Sequence, residues 1–389
     1  MKAVFGLILF LFTITFVAYG NIAMADHNVA PDLSLGGRIK FDTIYNFESV
    51  GGSKTSKSDL AFSPGSIPIG NDNRDDLDLN LRESRVWATL RLPLFNETIS
   101  GYVEFDFFDT EKDRTGRSHV TSDPRLRHAY GKYYEFTVGK TYTTFLNISS
   151  YPEINDANGP PGVLNIRQEL IRYETKTGWA RLFFSIEKPE STFTTFTGSR
   201  IQTSEDHIPD IAGRIEFTNT WGNLSVAGLI REIRANNKIV NGIDDSEWGG
   251  AASVAGRIFL YKQDNLRFSA SYGNALGRYM SFNSFDDAAI DNSGQIDLTE
   301  IVSAYTAYQH WWTANLRSSF IVGFASANQE SGIVPGTVNE KFASTFVNLL
   351  WSPASDLTLG LEWLHGYREL ENGQEGDLDR LQFSVVYKF

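Results

Sequence analysis

The chain has 389 residues, a formal net charge of −12 and no cysteine. The negative balance disfavours nucleic acid as a partner, and the lack of cysteine excludes disulfides and thiol chemistry. Aromatic residues make up 13% of the chain and charged residues 21%, and both kinds are interspersed in the same segments. An ordinary soluble domain would separate them into core and surface segments.

The first 25 residues have the pattern of a secretory signal peptide. Lys2 gives a positive start, residues 4–19 are apolar, and Ala23-Met24-Ala25 offers a small-residue cleavage pattern. We therefore expect export through the Sec route, cleavage after Ala25, and a mature domain over residues 26–389. An uncleaved membrane anchor is the alternative. No later apolar run reaches the roughly 20 residues that a membrane-spanning helix needs.

The mature sequence alternates apolar and polar residues in segments of about ten residues, the length of a tilted strand that crosses a membrane. The last segment is the clearest, with Leu381, Phe383 and Val385 on one face and Gln382 and Ser384 on the other. A period of two indicates a β-strand with one face in an apolar environment. The alternation recurs in segments 39–45, 99–107, 180–187, 211–217 and 357–363.

The connections between segments alternate strictly between short and long. The short ones lie near Pro93–Glu97, Gly131–Glu135, Thr175–Gly178, Asn219–Asn223, Lys262–Asn265, His310–Asn315 and Ser352–Asp356. The long ones lie near Glu48–Asp76, Asp109–Asp123, Thr143–Asn165, Glu187–Pro209, Glu232–Glu247, Asn274–Asp297, Ala325–Lys341 and Gly366–Asp379. Seven short and eight long connections predict sixteen strands.

This plan is typical of a transmembrane antiparallel β-barrel with short periplasmic turns and long extracellular loops. In lipid every backbone amide needs an internal partner, so only helices or a closed barrel can span the bilayer. The predicted fold is therefore an all-β barrel in the outer membrane of a Gram-negative cell. The apolar face of each strand would meet lipid, and the polar face would line the lumen.

Basic residues occupy the polar face of many strands. We expect the following residues to line the pore: Arg38, Lys40, Arg85, Arg125, Arg127, Arg172, Arg181 and Arg214. The same alternation of side chains along the strands places Arg257, Arg267 and Arg317 on the inward face. Many acidic residues, in contrast, fall in the predicted loops. Fixed cations in a narrow aqueous lumen attract anions and repel cations. We expect some of these cations to pair with the wall acids Asp42, Glu104, Asp106 and Glu216 and the wall to remain basic overall. The alternative is that the cations only pair with those acids.

The third long connection, Thr143–Asn165, is expected to fold into the barrel and narrow it, as in sixteen-stranded porins. Its irregular backbone is tolerated at that depth because it borders water and protein rather than lipid. Glu153 and Asp156 would then face the basic wall and produce a transverse field. A surface loop with an ordinary turn is the alternative.

Aromatic residues near the short turns predict the interfacial girdles of a barrel. They are Trp179, Trp221, Trp311, Trp312, Trp351 and Tyr387. Tyr387 and the C-terminal Phe389, on the apolar face of the last strand, resemble the signal read by the outer-membrane assembly machinery.

The sequence predicts neither a metal nor a cofactor. The six histidines lack zinc-site spacing, and each is interpreted as a loop or rim side chain. No nucleophile motif of a hydrolase appears, so we expect that the chain is not an enzyme. A barrel lipase or protease, a surface adhesin and a phage receptor are the alternatives.

Five segments resemble the first strands of DcaP-like porins: Gly37–Asp42, Arg82–Arg85, Gly101–Phe107, Arg125–Tyr130 and Phe136–Lys140. The resemblance implies a homotrimer of sixteen-stranded barrels. It also implies basic pores through which small anionic solutes, such as dicarboxylic or aromatic acids, diffuse passively. The expected partners are therefore these solutes, outer-membrane lipid, lipopolysaccharide and the assembly machinery.

Overall fold

The computed structural model describes residues 31–47, 61–70, 75–95, 97–108, 124–203, 206–235, 244–281, 284–291, 293–329 and 332–389. The predicted signal peptide and its cleavage site lie outside these residues. Strands dominate the described chain, with short 3₁₀ turns at Pro64–Ser66, Ile148–Ser150 and Gly277–Tyr279. No helix in these ranges is long and apolar enough to cross a membrane.

The strands of the main sheet are β1 (Asp32–Asn46), β2 (Asp76–Asn80), β3 (Arg85–Leu94), β4 (Glu97–Asp106), β5 (Arg125–Tyr133), β6 (Phe136–Tyr142), β7 (Arg167–Thr177), β8 (Ala180–Glu187), β11 (Asp210–Asn219), β12 (Gly222–Ala235), β13 (Asp245–Phe259), β14 (Asn265–Gly273), β17 (Glu300–Trp311), β18 (Leu316–Asn328), β19 (Asn339–Ala354), β20 (Leu357–Leu370) and β21 (Glu375–Lys388). A smaller sheet contains β9 (Ser191–Thr195), β10 (Arg200–Thr203), β15 (Ala288–Ile290) and β16 (Ile296–Leu298).

The main sheet closes on itself. Its strands pair antiparallel in chain order, and β21 returns to β1, with Arg38 opposite Lys388 and Asn46 opposite Arg380. Along its other edge β1 pairs first with β3 and then with β2. β2 and β3 therefore act as one barrel strand interrupted at residues 81–84. The barrel thus has sixteen strand positions, which confirms the predicted fold.

Short turns and long loops alternate around the barrel as the sequence predicts. We number the long loops in chain order, so that loop 1 is 47–75, loop 3 is 143–166, loop 4 is 188–209 and loop 6 is 274–299. Three connections are shorter than expected. β18 extends to Asn328 and β19 begins at Asn339, inside the connection predicted at Ala325–Lys341. β12 extends to Ala235, and Leu370 and Glu375 are joined by only four residues. The ends of these strands looked like loops because they are rich in charged residues, such as Glu232, Arg234, Glu369 and Asp377.

Side chains alternate between a membrane-facing surface and the interior. On β8, Phe184 and Ile186 are 53% and 40% exposed, whereas Ser185 and Glu187 are buried. Exposed apolar side chains are unfavourable in water and are accommodated in lipid. The outward face therefore has the apolar character expected of an outer-membrane barrel.

The aromatic residues follow this pattern with one exception. Trp179, Trp312 and Trp351 are 71%, 60% and 46% exposed on or beside the outer surface. Trp311 instead shares the inward face of β17, and the guanidinium of its cross-strand partner Arg317 lies 5.1 Å from its ring centroid. Two consecutive residues of a strand point to opposite faces, so Trp311 and Trp312 cannot both belong to the girdle.

Part of the interior is packed with apolar side chains, although the lumen was expected to be polar. Inward-facing Leu229, Ile301 and Phe346 are at most 2% exposed. Loop 1 places Phe62 against Phe346, with 5.9 Å between ring centroids. Loop 3 brings Phe145 into the cluster that contains Leu229 and Ile301. The loops thus cover the wall from β11 to β20, and a cavity lies beside β1, β3 and β5–β7.

Loops 4 and 6 form the smaller sheet, in the order β10–β9–β15–β16. Arg231 of β12 anchors it, at 2.7 Å from Asp287 and 3.0 Å from Asp210, and all three side chains are fully buried. Burial alone would raise the pKa of Asp287, but the Arg231 charge and hydrogen bonds outweigh it and hold the pKa below its usual range. Asp287 therefore stabilises the sheet as an anion, and this contribution is lost as the pH falls through the lowered pKa.

The C-terminal residue closes the seam between β21 and β1. The backbone N–H of Phe389 donates to Gly37 O, and the N–H of Gly37 donates to Phe389 O, both at 3.0 Å. A Cβ on Gly37 would lie 2.4 Å from the Phe389 ring, so the ring covers the glycine directly. Phe389 lies outside the cavity lining.

We predict that deleting Phe389 lowers the amount of folded barrel in the outer membrane without changing the permeability of the barrels that assemble. The deletion removes two hydrogen bonds, each worth about 1 kcal/mol, together with the predicted assembly signal. Heat-modifiable protein in outer-membrane fractions under native expression measures the effect. Tyr387→Phe, which keeps a ring at the neighbouring outward position, is the control. A normal level of the truncated barrel would contradict the prediction.

Candidate functional site: a basic cavity beside loop 3

A cavity of about 750 Å³ lies between loop 3 and the barrel wall. Loop 3 contributes residues 151–158 to its lining, which agrees with the expectation that this loop folds inward. Five of the eight predicted pore-lining residues also line it: Arg38, Lys40, Arg85, Arg125 and Arg127. We call these five, together with Arg167 of β7, the basic wall.

The basic wall carries more positive charge than its neighbours neutralise. Arg125 and Arg127 lie 2.7 and 2.9 Å from Asp106, while Arg38 and Arg85 share Glu83 at 3.4 and 3.3 Å. Among the residues that the structure describes, five of the six cations of the wall lie within ion-pair distance of four carboxylates, and Arg167 lies within that distance of none. Those carboxylates are Asp42, Glu83, Glu104 and Asp106. The expected pairing with wall acids therefore occurs, and two positive charges remain in excess.

Arg167 was missed by the sequence analysis. It donates to the Tyr142 hydroxyl at 3.1 Å and lies 5.1 Å from the centroid of that ring. No carboxylate of the described chain forms an ion pair with it. Arg167 is two residues from Glu169 and four from Ile171, which face outward, so strand alternation predicts an outward side chain. Arg167 is, however, the first residue of β7, where the chain emerges from loop 3. Strand alternation does not constrain a side chain at that point.

Three predicted pore residues have other positions. Arg172 donates to Thr144 Oγ1 at 2.6 Å, and Arg214 donates to Thr144 O at 3.1 Å. Both therefore support the start of loop 3 instead of lining the cavity. Arg181 lies near the β7–β8 turn, where it pairs with Glu174 and with Glu216.

The two carboxylates of loop 3 line the same cavity as the basic wall, but each forms its ion pair with an arginine outside that wall. Asp156 is 4% exposed, lies 3.3 Å from Arg380, and accepts the Phe62 N–H at 2.8 Å. Glu153 accepts from Arg317 Nε at 2.8 Å. A loop inside a barrel must satisfy its buried polar groups locally, and these carboxylates meet that need.

Glu362 of β20 fixes the tip of loop 3. Its carboxylate accepts the backbone N–H groups of Asn155 and Asp156 at 3.0 and 2.9 Å, and the Asn348 side-chain amide at 3.0 Å. On the other side, Lys40 donates to Asn155 O. Sequence parity places Glu362 on the inward face, but only the fold reveals the loop backbone opposite it.

His128 was predicted to lie in a loop or at the rim of the barrel, and the structure places it elsewhere. A register shift between β4 and β5 pairs Glu104 with His128 and Phe105 with Leu126. The shift turns His128 inward, where it is 7% exposed and 3.1 Å from Thr141 Oγ1. A β-bulge re-aims side chains in this way, so His128 belongs to the barrel wall rather than to a loop.

Comparison with known proteins decides the family. The model of the DcaP outer membrane protein family matches residues 22–389. The chain belongs to this family. The match also places the chain in the outer membrane, as the signal peptide and the barrel pattern predicted.

Solved structures of other members of the porin fold resemble the DcaP-family chain. The outer membrane channel DcaP of Acinetobacter baumannii is 22% identical, with a TM-score of 0.79 over 94% of this chain and 99% of that one. An anion-selective porin from Comamonas acidovorans is 11% identical, with a TM-score of 0.60 over 92% and 100%. The trimer form of OmpT of Vibrio cholerae is 9% identical, with a TM-score of 0.58 over 93% and 100%. No curated protein sequence matches the chain.

We predict that Glu362→Ala loosens loop 3. The substitution leaves two buried N–H groups without an acceptor, at a cost of about 1–3 kcal/mol for each unsatisfied group. The apparent temperature of heat modification should fall, and single-channel current noise should rise. Glu369→Ala, an outward-facing acid on the same strand, should change neither. Unchanged noise in Glu362→Ala would contradict the assigned role.

Proposed function

We propose that the chain is a channel through which small anionic solutes cross the outer membrane by passive diffusion. The observation that carries this proposal is the excess of cations on the basic wall, next to a cavity narrowed by loop 3. The family is one of outer membrane proteins, and two structures of similar fold are named an outer membrane channel and an anion-selective porin.

The basic wall suits carboxylate solutes in particular. Fixed cations beside a water-filled passage raise the local concentration of anions and oppose the entry of cations. A guanidinium also presents two parallel donors to a carboxylate, and Arg167 has no carboxylate of the described chain to compete for them. Tyr142 beside Arg167 and Phe108 beside Arg125 add aromatic surface. These features support dicarboxylic or aromatic acids as the solute class.

We also propose that the chain is not an enzyme. The two close His–Asp pairs, His310–Asp264 and His365–Asp379, lie outside the cavity lining. In the described ranges no group of three or more side chains is arranged to hold a metal ion. A barrel hydrolase needs a nucleophile or activated water together with a base in one solute-accessible place.

The charge of the wall leads to a selectivity prediction. The double variant Arg125→Gln/Arg167→Gln should shift the reversal potential under a salt gradient toward cation preference. These two residues are suitable because Asp106 keeps Arg127 as a partner when Arg125 is removed. The double variant Arg91→Gln/Lys262→Gln removes the same charge outside the cavity lining and serves as the control. Equal permeability ratios in both variants and the wild type would contradict an electrostatic role for the wall.

We propose a homotrimer in contact with outer-membrane lipid and lipopolysaccharide. A trimer form is recorded for the similar Vibrio cholerae protein, and the family resemblance implies the same assembly. Purified protein should migrate as a trimer on a gel without boiling and as a monomer after boiling. A monomeric mass by light scattering in mild detergent would contradict this.

A further inference from the structure

A second group of arginines lies on the opposite side of the barrel from the basic wall. Arg257 of β13 and Arg267 of β14 are direct cross-strand partners. They lie close to the short turn at residues 260–264, and short turns of an outer-membrane barrel are periplasmic. The pair therefore lies toward the periplasmic end of the lumen.

Neither arginine has an ion-pair partner in the described part of the chain. Arg267 donates to Asn265 Oδ1 at 2.9 Å and to the loop 3 carbonyl of Tyr151, and both acceptors are neutral. The Nε of Arg257 is buried without a hydrogen-bond partner. The Arg257 guanidinium lies 4.7 Å from the Phe259 ring centroid, and that ring is 42% exposed.

The neighbouring carboxylate is already engaged. Glu153 of loop 3 accepts from Arg317 through both oxygens, and from the Gln309 side chain at 2.5 Å. Its charge therefore neutralises Arg317. Like charges directly opposite each other on neighbouring strands are destabilising, so Arg257 and Arg267 carry an unfavourable interaction that a bound anion would relieve.

We propose that Arg257 and Arg267 form a second anion-binding subsite, on the periplasmic side of loop 3, for a small solute with two carboxylates. Because Nε of Arg267 already donates and Nε of Arg257 is buried, each guanidinium would hold a carboxylate through its terminal Nη groups. The exposed Phe259 ring covers the side of Arg257. Arg267 and Arg317 line the same cavity as the basic wall, so a solute there can reach the pair of Arg257 and Arg267. A solute that leaves the basic wall thus meets a second binding position before it reaches the periplasm.

This inference rests on the proposed function. Block of single-channel current by a solute added to one side of the membrane tests the subsite and the proposed function separately. The probe is succinate, added to one side of full-length channels of known orientation in a planar bilayer. In Arg257→Gln/Arg267→Gln, the succinate concentration for half block from the periplasmic side should rise about tenfold, the effect of losing about 1.4 kcal/mol. Block from the extracellular side should stay unchanged.

The double variant Arg91→Gln/Lys262→Gln is the matched control, since Lys262 lies in the adjacent turn and removal of its charge should not change the block. If the double variant does not fold, the single variant Arg257→Gln is used in its place, because the Nε of Arg257 has no hydrogen-bond partner that the substitution would remove. Periplasmic block equal to that of the control overturns the subsite, and the proposed function stands if Arg125→Gln/Arg167→Gln still shifts selectivity. If neither arginine variant changes block or selectivity, both proposals fail.

Discussion

Backbone hydrogen bonding controls the architecture at two levels. In the wall, closure of β21 on β1 gives every barrel strand a neighbour on each edge, which the apolar membrane interior demands. In the lumen, loop 3 has irregular backbone. Its residues 163–165 pair with the backbone of loop 6, and side chains of the barrel wall form hydrogen bonds with its backbone elsewhere. Glu362 accepts two of its N–H groups, and Arg172 and Arg214 both donate to Thr144 near its start. These hydrogen bonds fix the position of loop 3, and the position of loop 3 determines the shape of the cavity.

The same supports explain how an acidic chain can present a basic passage. The net charge of −12 counts every carboxylate equally, but the carboxylates nearest the cavity already form ion pairs with arginine or lysine side chains. Asp156 is buried against Arg380, Glu153 pairs with Arg317, and Glu83 is shared by three cations. The charge available to a passing solute is therefore set by the unpaired guanidiniums and not by the composition.

Strand number and topology were predictable because a membrane strand repeats every two residues and its turns differ in length from its loops. The side chains of the interior were less predictable. Leu229, Ile301 and Phe346 point inward, and their apolar character makes sense only when loops 1 and 3 cover them. Alternation describes the two faces of one strand and contains no information about which loop packs on the inner face.

The candidate site shows the same limit. The apolar–polar alternation placed Arg38 and Lys40 correctly inside the regular ladder of β1 and β21, and it also placed Arg85 and Arg125, the first residues of β3 and β5. It missed Arg167, where the chain enters β7 from loop 3, and the histidine interpretation misplaced His128, where a bulge shifts the register. Contacts between distant segments, such as Asp156 with Phe62 and Arg380, depend on the closed barrel and have no local signal. The alternation is therefore reliable where the ladder is regular, and it gives no dependable orientation at bulges, at the exit from a loop or inside loops.

The central claim is that the basic wall, rather than the overall acidity of the chain, sets the charge preference of the passage. The reversal potential of the wild-type channel in a potassium chloride gradient tests it most directly, because the two ions have nearly equal mobility in water. The account predicts a potential of the sign that marks chloride as the more permeant ion. A potential of the opposite sign, with potassium preferred, would contradict it.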